Sequence, residues 1–400
     1  MSVPERVVVA GGSLAGLRTV EALRRSGYDG RVTVLAAERE LPYDRPPLSK
    51  EVLAGKWDAA RVALRKPESY AELDVDWRLG TPATGLDLAG RAVLAGEERV
   101  PFDALVIATG ARPRRLPGPA PGGVHVLRTL DDCLAIRDAF DGGARVAVVG
   151  AGFIGGEVAA TARARGLEVT LVEALPVPLE RQLGAAMGLE AAALQRDSGV
   201  DVRLGLGVTG FAGGERVEGV RLADGSVVPA DVVVVGIGVV PEVAWLAGSG
   251  LALADGVRCD ERCRASAPGV YAAGDVACWL NPRYGVPMRV EHWTHATEQA
   301  DAAAAAILAG EGPCEPFAPV PYFWSDQHGV KIQLAGRIDP GDEVHVVDGS
   351  VSERRFVALY ARAGRLTAVL GWNRPRLVMQ FRKAIREGAS LEDALRRPLL

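Results

Sequence analysis

Apolar runs and glycine turns repeat one order twice along this chain of 400 residues. Val7-Val8-Val9-Ala10 reads as a β-branched strand. Gly11-Gly12-Ser13-Leu14-Ala15-Gly16 then reads as a glycine turn opening a helix, and the next apolar run leads to Glu38. The order recurs at Val146-Ala147-Val148-Val149, then Gly150-Ala151-Gly152-Phe153-Ile154-Gly155, with the next run ending at Glu173. Between the copies, residues 41–50 form a proline-rich loop that cannot be helix interior. Short alternating runs over 72–107 predict a meander, which ends at Leu105–Gly110. Pro113 to Gly123 holds four prolines and three glycines and reads as a crossover. After the second copy, strand-like runs continue to Asp231–Gly236, and Pro241 marks another crossover. Val270-Tyr271-Ala272-Ala273 is a buried strand ending in Gly274-Asp275. Trp293 to Gly310 reads as helical, with Gly310 as its C-cap. Gly312–Pro321 is a linker, strands alternate with turns from Tyr322, and a helix near Arg376–Gly388 closes the chain.

The repeated unit carries a chemistry. Its glycines let backbone approach a pyrophosphate at a helix N-terminus, and the acid about 20 residues on accepts from ribose hydroxyls. The first copy has Ser13 where a second glycine is usual, and Ser is small enough for close approach. The second copy is complete. Glu38 taken alone also reads as a solvated acid at a strand end. Two copies imply two dinucleotides, and the usual reason to hold two is to pass a hydride between them. The expected fold is α/β, with two Rossmann-like dinucleotide-binding domains and a small α+β C-terminal domain. The expected boundaries are 1–112 with 240–318, then 113–239, then 319–400.

Composition narrows the classes. At 48% hydrophobic residues a sizeable core is possible, and a net charge of −4 argues against bulk nucleic-acid binding. The longest apolar run, around Val232–Val240, is interrupted by Gly236 and Gly238, so no membrane span is expected. The first strand begins within about six residues of the start, which leaves no room for a signal peptide. A soluble cytoplasmic protein is expected. Five irregularly spaced cysteines give no disulfide scaffold, zinc site or iron–sulfur ligand set, and the five histidines show no metal spacing. No metal is expected.

Gly-x-Ser-Leu-Ala-Gly, Pro42-Tyr43-Asp44-Arg45-Pro46-Pro47-Leu48-Ser49-Lys50, Ala108-Thr109-Gly110-Ala111-Arg112-Pro113-Arg114, Leu127-Arg128-Thr129-Leu130 and Pro321–Gln327 occur in this order. Together they resemble the FAD-dependent, NADH-using ferredoxin reductases that serve cytochromes P450 and Rieske dioxygenases, a glutathione-reductase-like family. The resemblance implies FAD in the first site and NADH in the second. It maps FAD contacts to Gly11, Ser13, Leu14, Ala15, Gly16, Ala37, Glu38, Arg45, Lys50, Ala83, Thr109, Gly110, Arg128, Gly274, Asp275 and Trp293. NADH contacts fall to Gly150, Gly152, Phe153, Ile154, Gly155, Glu173, Arg181 and Gly238. It also implies that Lys50 and Glu157 pair beside the flavin, fixing the lysine near its N5. Hydride transfer needs no protein acid or base, so their role is orientation and electrostatics. A carboxylate at Glu157 also suits the helix dipole on its own.

The activity implied is that of a ferredoxin–NAD(+) reductase, with hydride passing from NADH to FAD and single electrons to a separate iron–sulfur ferredoxin. No cysteine precedes Cys133, which excludes a disulfide or cysteine-dependent peroxidase centre in the first domain. Docking is expected near Trp324, Arg382 and Lys383, with a solvated helix face as the bland alternative. An NADH-responsive interaction protein resembling apoptosis-inducing factor, or a rubredoxin reductase, are the competing readings. Neither nucleic acid nor a membrane is an expected partner.

Overall fold

A computed structural model describes residues 3–398. The chain divides into two compact units. The first comprises Met1–Asp44, Val62–Arg112 and Val240–Pro321; the second comprises Arg45–Arg61, Pro113–Val239 and Tyr322–Leu400.

In the first unit the strand Arg6–Ala10 is central in a five-stranded sheet. Arg31–Leu35 and then Asp76–Arg78 lie on one side, and Ala104–Ile107 and then Val270–Ala272 on the other. Every pairing is parallel. Its central strands are apolar on both faces because both faces are covered, which is what a parallel sheet demands. The helices Leu14–Arg25 and Trp293–Ala309 belong to this unit, and Leu17, Val20 and Leu23 of the first share a core with Ala303, Ala304 and Ile307 of the second. The stretch read as one meander divides: Asp76–Arg78 and Ala104–Ile107 join the parallel sheet, and only Gly85–Asp87, Ala92–Ala95 and Glu98–Pro101 form an antiparallel trio.

The second unit repeats the plan. Val146–Val149 is central, flanked by Val169–Glu173 and Asp201–Leu204 on one side and by Val232–Val235 and Val124–Val126 on the other, all parallel. In both sheets the chain moves outward in one direction from the central strand and then returns to its other side. That reversal opens a crevice at the carboxyl ends of the strands, where ligands of such sheets bind.

The same unit contains a five-stranded antiparallel sheet in the order Tyr322–Gln327, Val330–Gly336, Arg365–Trp372, Arg355–Arg362, Glu343–Ser350. The helix Pro375–Glu387 buries Leu377, Val378, Phe381, Ala384 and Ile385. Gly371 admits it, because a Cβ there would lie 2.2 Å from Val378 Cγ2. That helix does not close the chain: Leu391–Arg396 follows, started by a capping box between Ser390 and Asp393. Pro241 ends a short strand, Val239–Pro241, at the point where the chain crosses from the second unit back to the first. Among the described residues no helix is long and apolar enough to cross a membrane.

Candidate functional site

Each parallel sheet ends in a glycine cradle, and the two cradles have the same internal geometry. Gly11 has φ +122°, and a Cβ there would lie 2.1 Å from Ala108 O, just past the neighbouring strand. Gly150 has φ +101°, with Gly236 O at 2.4 Å in the equivalent place. Gly16 and Gly155 let their helices close onto the turn: a Cβ would come within 1.9 Å of Gly11 O and 2.0 Å of Gly150 O. Gly152 differs, because its Cβ would meet nothing nearer than Gly236 O at 4.0 Å. Protein packing does not require glycine there, and the space in front of the second helix is open. Ser13 occupies the matching place in the first cradle, in extended conformation as N-cap of Leu14–Arg25, and Ala15 and Gly16 are buried in that helix.

These cradles pass the test for dinucleotides. Their glycines clear backbone approach, and each helix N-terminus offers N–H groups to an anion. The acids behave differently. Glu173 ends its strand and receives Ala151 N at 2.8 Å and Leu175 N at 2.9 Å. Two backbone donors use half of a carboxylate's acceptor capacity, so ribose hydroxyls can still be accepted. Glu38 lies three residues past its strand and accepts from the Tyr43 hydroxyl. Ala37 is exposed and Ala83 half-buried.

Other predicted positions in the first unit fall at strand ends and helix starts. Thr109 Oγ1 donates to Glu242 O at 2.7 Å, and Gly110 N–H follows in a φ +70° turn. Gly274, at φ +80°, donates its N–H to the buried Gln299 Oε1 at 2.8 Å and presents the half-buried Asp275. Trp293 is the first residue of its helix, and its Nε1 donates to Asp44 Oδ1 at 2.8 Å.

The second unit brings together residues far apart in sequence. The proline-rich loop forms a 3₁₀ turn, Pro46–Ser49, with Pro47, Leu48 and Ser49 buried. Thr161 Oγ1 donates to Ser49 O at 2.8 Å and Cys133 Sγ to Leu48 O at 3.1 Å, which fixes the turn against two helices. Lys50 Nζ then lies 2.7 Å from Glu157 Oε2, with the glutamate side chain only 3% exposed. Arg45 donates to Arg128 O, and Arg128 N to Asp132 Oδ2 at 3.0 Å. Ile154 is 47% exposed at the start of Phe153–Ala164, and Arg181 and Gly238 are exposed.

Sequence reasoning missed most of the groups around Glu157. Ser49 Oγ donates to Oε2 at 2.5 Å, Ser325 Oγ to Oε1 at 2.7 Å, and Asp326 N to Oε1 at 3.3 Å. Glu157 is therefore no mere helix-dipole acid: it is a buried carboxylate with four donors. The Tyr322–Gln327 strand supplies two of them, the inward-facing Ser325 hydroxyl and the Asp326 backbone N–H; on the same inward face Phe323 meets Phe153 at 4.4 Å between ring centroids and Gln327 fills the space left by Gly156. On the alternate face, Tyr322 stacks near Trp324 at 6.2 Å and the Arg382 guanidinium lies 5.3 Å over the Tyr322 ring. Lys383 lies beside Arg382 on the helix, 3.9 Å from Glu387.

Comparison with known proteins agrees with this arrangement. The family described as pyridine nucleotide-disulphide oxidoreductase matches residues 5–300, and that described as reductase C-terminal matches 322–396. The chain is 37% identical to rhodocoxin reductase of Rhodococcus erythropolis over 95% of its own length and 89% of the relative's. It is also 37% identical to the chlorobenzene dioxygenase ferredoxin reductase component of a Cupriavidus species, over 97% and 94%. The crystal structure of the covalent putidaredoxin reductase–putidaredoxin complex superposes with a TM-score of 0.93 at 33% identity, covering 98% of this chain and 95% of that one. Two dinucleotide cradles followed by a reductase C-terminal sheet, in full-length register with these relatives, place the chain in the pyridine nucleotide-disulphide oxidoreductase family, among its ferredoxin reductases.

Proposed function

We propose that this protein is an FAD-dependent NADH:ferredoxin reductase, serving an iron–sulfur ferredoxin that in turn feeds a cytochrome P450 or Rieske oxygenase. The duplicated glycine cradle carries the reading: two dinucleotide sites on one chain fit a hydride donor and a hydride acceptor. When bound, FAD supplies the conversion of a two-electron donor into one-electron steps. The described residues include no group of three or more potential metal ligands, so the one-electron acceptor is taken to be another protein.

The protein's part is binding and orientation. Residues 1–112 with 240–318 form the FAD domain, 113–239 the NAD domain and 319–400 the C-terminal domain. Gly11, Ser13, Leu14, Ala15 and Gly16 cradle the FAD pyrophosphate, Glu38 takes its adenosine ribose and Asp275 the ribityl hydroxyls. Arg45 and Arg128 meet the pyrophosphate side, and Trp293 with its helix N-terminus faces the flavin. Gly150, Gly152, Phe153, Ile154 and Gly155 cradle NADH, with Glu173 on the ribose and Arg181 on the pyrophosphate or ribose. Lys50, held by Glu157, sets charge and shape where hydride moves. A cytoplasmic location belongs to the same proposal: the five cysteines are free thiols, which suits a reducing compartment.

NADH should be preferred to NADPH. The Glu173 carboxylate would repel a 2′-phosphate, and Ala174, Leu175, Pro176 and Val177 bring no cation to receive it. An unfavourable charge contact implies at least about tenfold discrimination in kcat/KM. Equal values for the two coenzymes would remove Glu173 from the ribose site.

Ferredoxin docking is assigned to the face carrying Trp324, Arg382 and Lys383. Steered association between a basic patch and an acidic partner weakens with salt. Cytochrome c reduction through ferredoxins encoded near this gene tests the whole reading. Arg382→Glu should slow it about tenfold at low ionic strength, with NADH-to-dye turnover intact. Wild-type ferredoxin reduction in that variant would move the docking face elsewhere.

A further inference from the structure

The Lys50–Glu157 pair is one end of a longer hydrogen-bonded chain lying wholly within the second unit. Ser325 Oγ is 2.7 Å from Glu157 Oε1. Gln327 Nε2 is 3.1 Å from Ser325 Oγ, and Gln195 Nε2 is 2.9 Å from Gln327 Oε1. Gln195 Oε1 is 2.7 Å from His328 Nε2. Ser325, Gln327 and Gln195 are each at most 3% exposed, so water does not stand in for these partners.

The direction of every link follows from the chemistry of its ends. An ionised carboxylate only accepts, so Ser325 must donate its single hydroxyl hydrogen to Glu157. Its oxygen is then left to accept, which turns the Gln327 amide nitrogen toward it. The Gln327 oxygen faces Gln195 and must accept, which turns the Gln195 nitrogen toward Gln327. A second anchor agrees: Gln195 Nε2 is also 3.2 Å from Gly156 O, a carbonyl that can only accept. The Gln195 oxygen is therefore the atom facing His328, and a hydrogen must sit on His328 Nε2.

We propose that His328 is a positioning residue for the Glu157–Lys50 pair, held as the neutral Nε2–H tautomer by a one-way row of donors that ends on the Glu157 carboxylate. The row aims four successive N–H and O–H dipoles at the charge that holds Lys50. It is built on residues 195, 325, 327 and 328, so the C-terminal sheet takes part in orienting a group of the NAD-binding helix. Burial, with the Arg163 charge second, pushes His328 down to about 4, which keeps the ring uncharged at working pH. The functional value of the row rests on the reading of Lys50 and Glu157 as hydride-site residues; the row itself does not.

The test uses the FAD-loaded protein with ¹⁵N-labelled histidine and long-range ¹H–¹⁵N NMR at neutral pH. His328 is assigned by the signal lost in His328→Gln. The expected spectrum has hydrogen on Nε2 and a bare Nδ1. In Glu157→Gln the Gly156 carbonyl still turns the Gln195 nitrogen away from the ring, so Nε2–H should persist there. His328→Leu should lower kcat for NADH-to-dye turnover about fivefold, the size of one net hydrogen bond, with His328→Gln restoring most of it. A wild-type His328 that is Nδ1–H or doubly protonated overturns the proposal, as does wild-type kcat in His328→Leu where Glu157→Gln is slowed. A locked tautomer together with wild-type turnover in Glu157→Gln leaves the row standing and removes the pair from hydride transfer.

Discussion

Replacing Lys50 with methionine should slow NADH-driven loss of flavin absorbance by about a hundredfold, the scale of removing one preorganised charge from a reacting site. The same change should lower the melting temperature, for a different reason. Glu157 is 3% exposed at its side chain and Lys50 14%, so the methionine variant strands a buried carboxylate. Breaking a buried pair from one side costs about 3–5 kcal/mol, whereas removing both charges is far milder. Ser49, Ser325 and the Asp326 N–H still donate to Glu157 and soften the loss. The Lys50→Met/Glu157→Gln double variant should therefore regain most of the melting temperature and none of the rate. Recovery of both together would make the pair purely structural, and an unchanged rate in the single variant would exclude Lys50 from hydride transfer.

The backbone plan is legible in the sequence because its signals are local. A glycine that must adopt positive φ at the end of an apolar strand marks Gly11 and Gly150 without reference to anything distant. The two helices that follow, Leu14–Arg25 and Phe153–Ala164, begin where the turns predict. Elements with weaker punctuation are harder. His292 precedes Trp293–Ala309 as N-cap without a side-chain cap bond, so that start is read from the helical stretch itself and not from a capping residue. The short Leu391–Arg396 helix does carry a readable sign, Ser390 three residues before Asp393, within an otherwise charged tail.

The shell around Glu157 is a different case. Ser49, Gln195, Ser325, Gln327 and His328 are spread over 280 positions; Ser49 falls in one quoted motif and Ser325 with Gln327 in another, but neither motif points them at Glu157. Alternation in Tyr322–Gln327 separates Phe323, Ser325 and Gln327 from Tyr322, Trp324 and Asp326, but period two does not say which set faces inward. Only the packing decides it: Phe323 lies on Phe153, and Gly156 leaves room for Gln327. Ser325, between them, is then obliged to face the helix that carries Glu157. Lys50 and Glu157 were readable through resemblance, and the structure sets them 2.7 Å apart; the groups that orient them needed the fold.

Gly152 and Gly155 stand three residues apart in one motif, and their substitution should give opposite results. Gly155→Ala puts a Cβ 2.0 Å from Gly150 O, a backbone atom that cannot rotate away. The helix must lift from the strand end, at a cost of about 3 kcal/mol or more, so the melting temperature and soluble yield should fall. Gly152 has φ −72° and ψ −177°, extended backbone that any residue adopts, and only Gly236 O lies as near as 4.0 Å to its Cβ position. Gly152→Val should therefore shift stability by no more than about 0.5 kcal/mol. Its branched side chain would instead stand in the space left for the pyrophosphate, at the helix N-terminus whose N–H groups should receive it. Loss of that close approach should raise the KM for NADH about tenfold or more, with FAD content unchanged. Ser13 holds the matching place in the first cradle, so one small side chain is tolerable in such a turn, and the bulk of valine is what makes the test decisive. Thermal unfolding and NADH titration of the two variants separate the roles. A Gly152→Val protein with wild-type KM would mean that the second cradle does not grip the nucleotide through this turn.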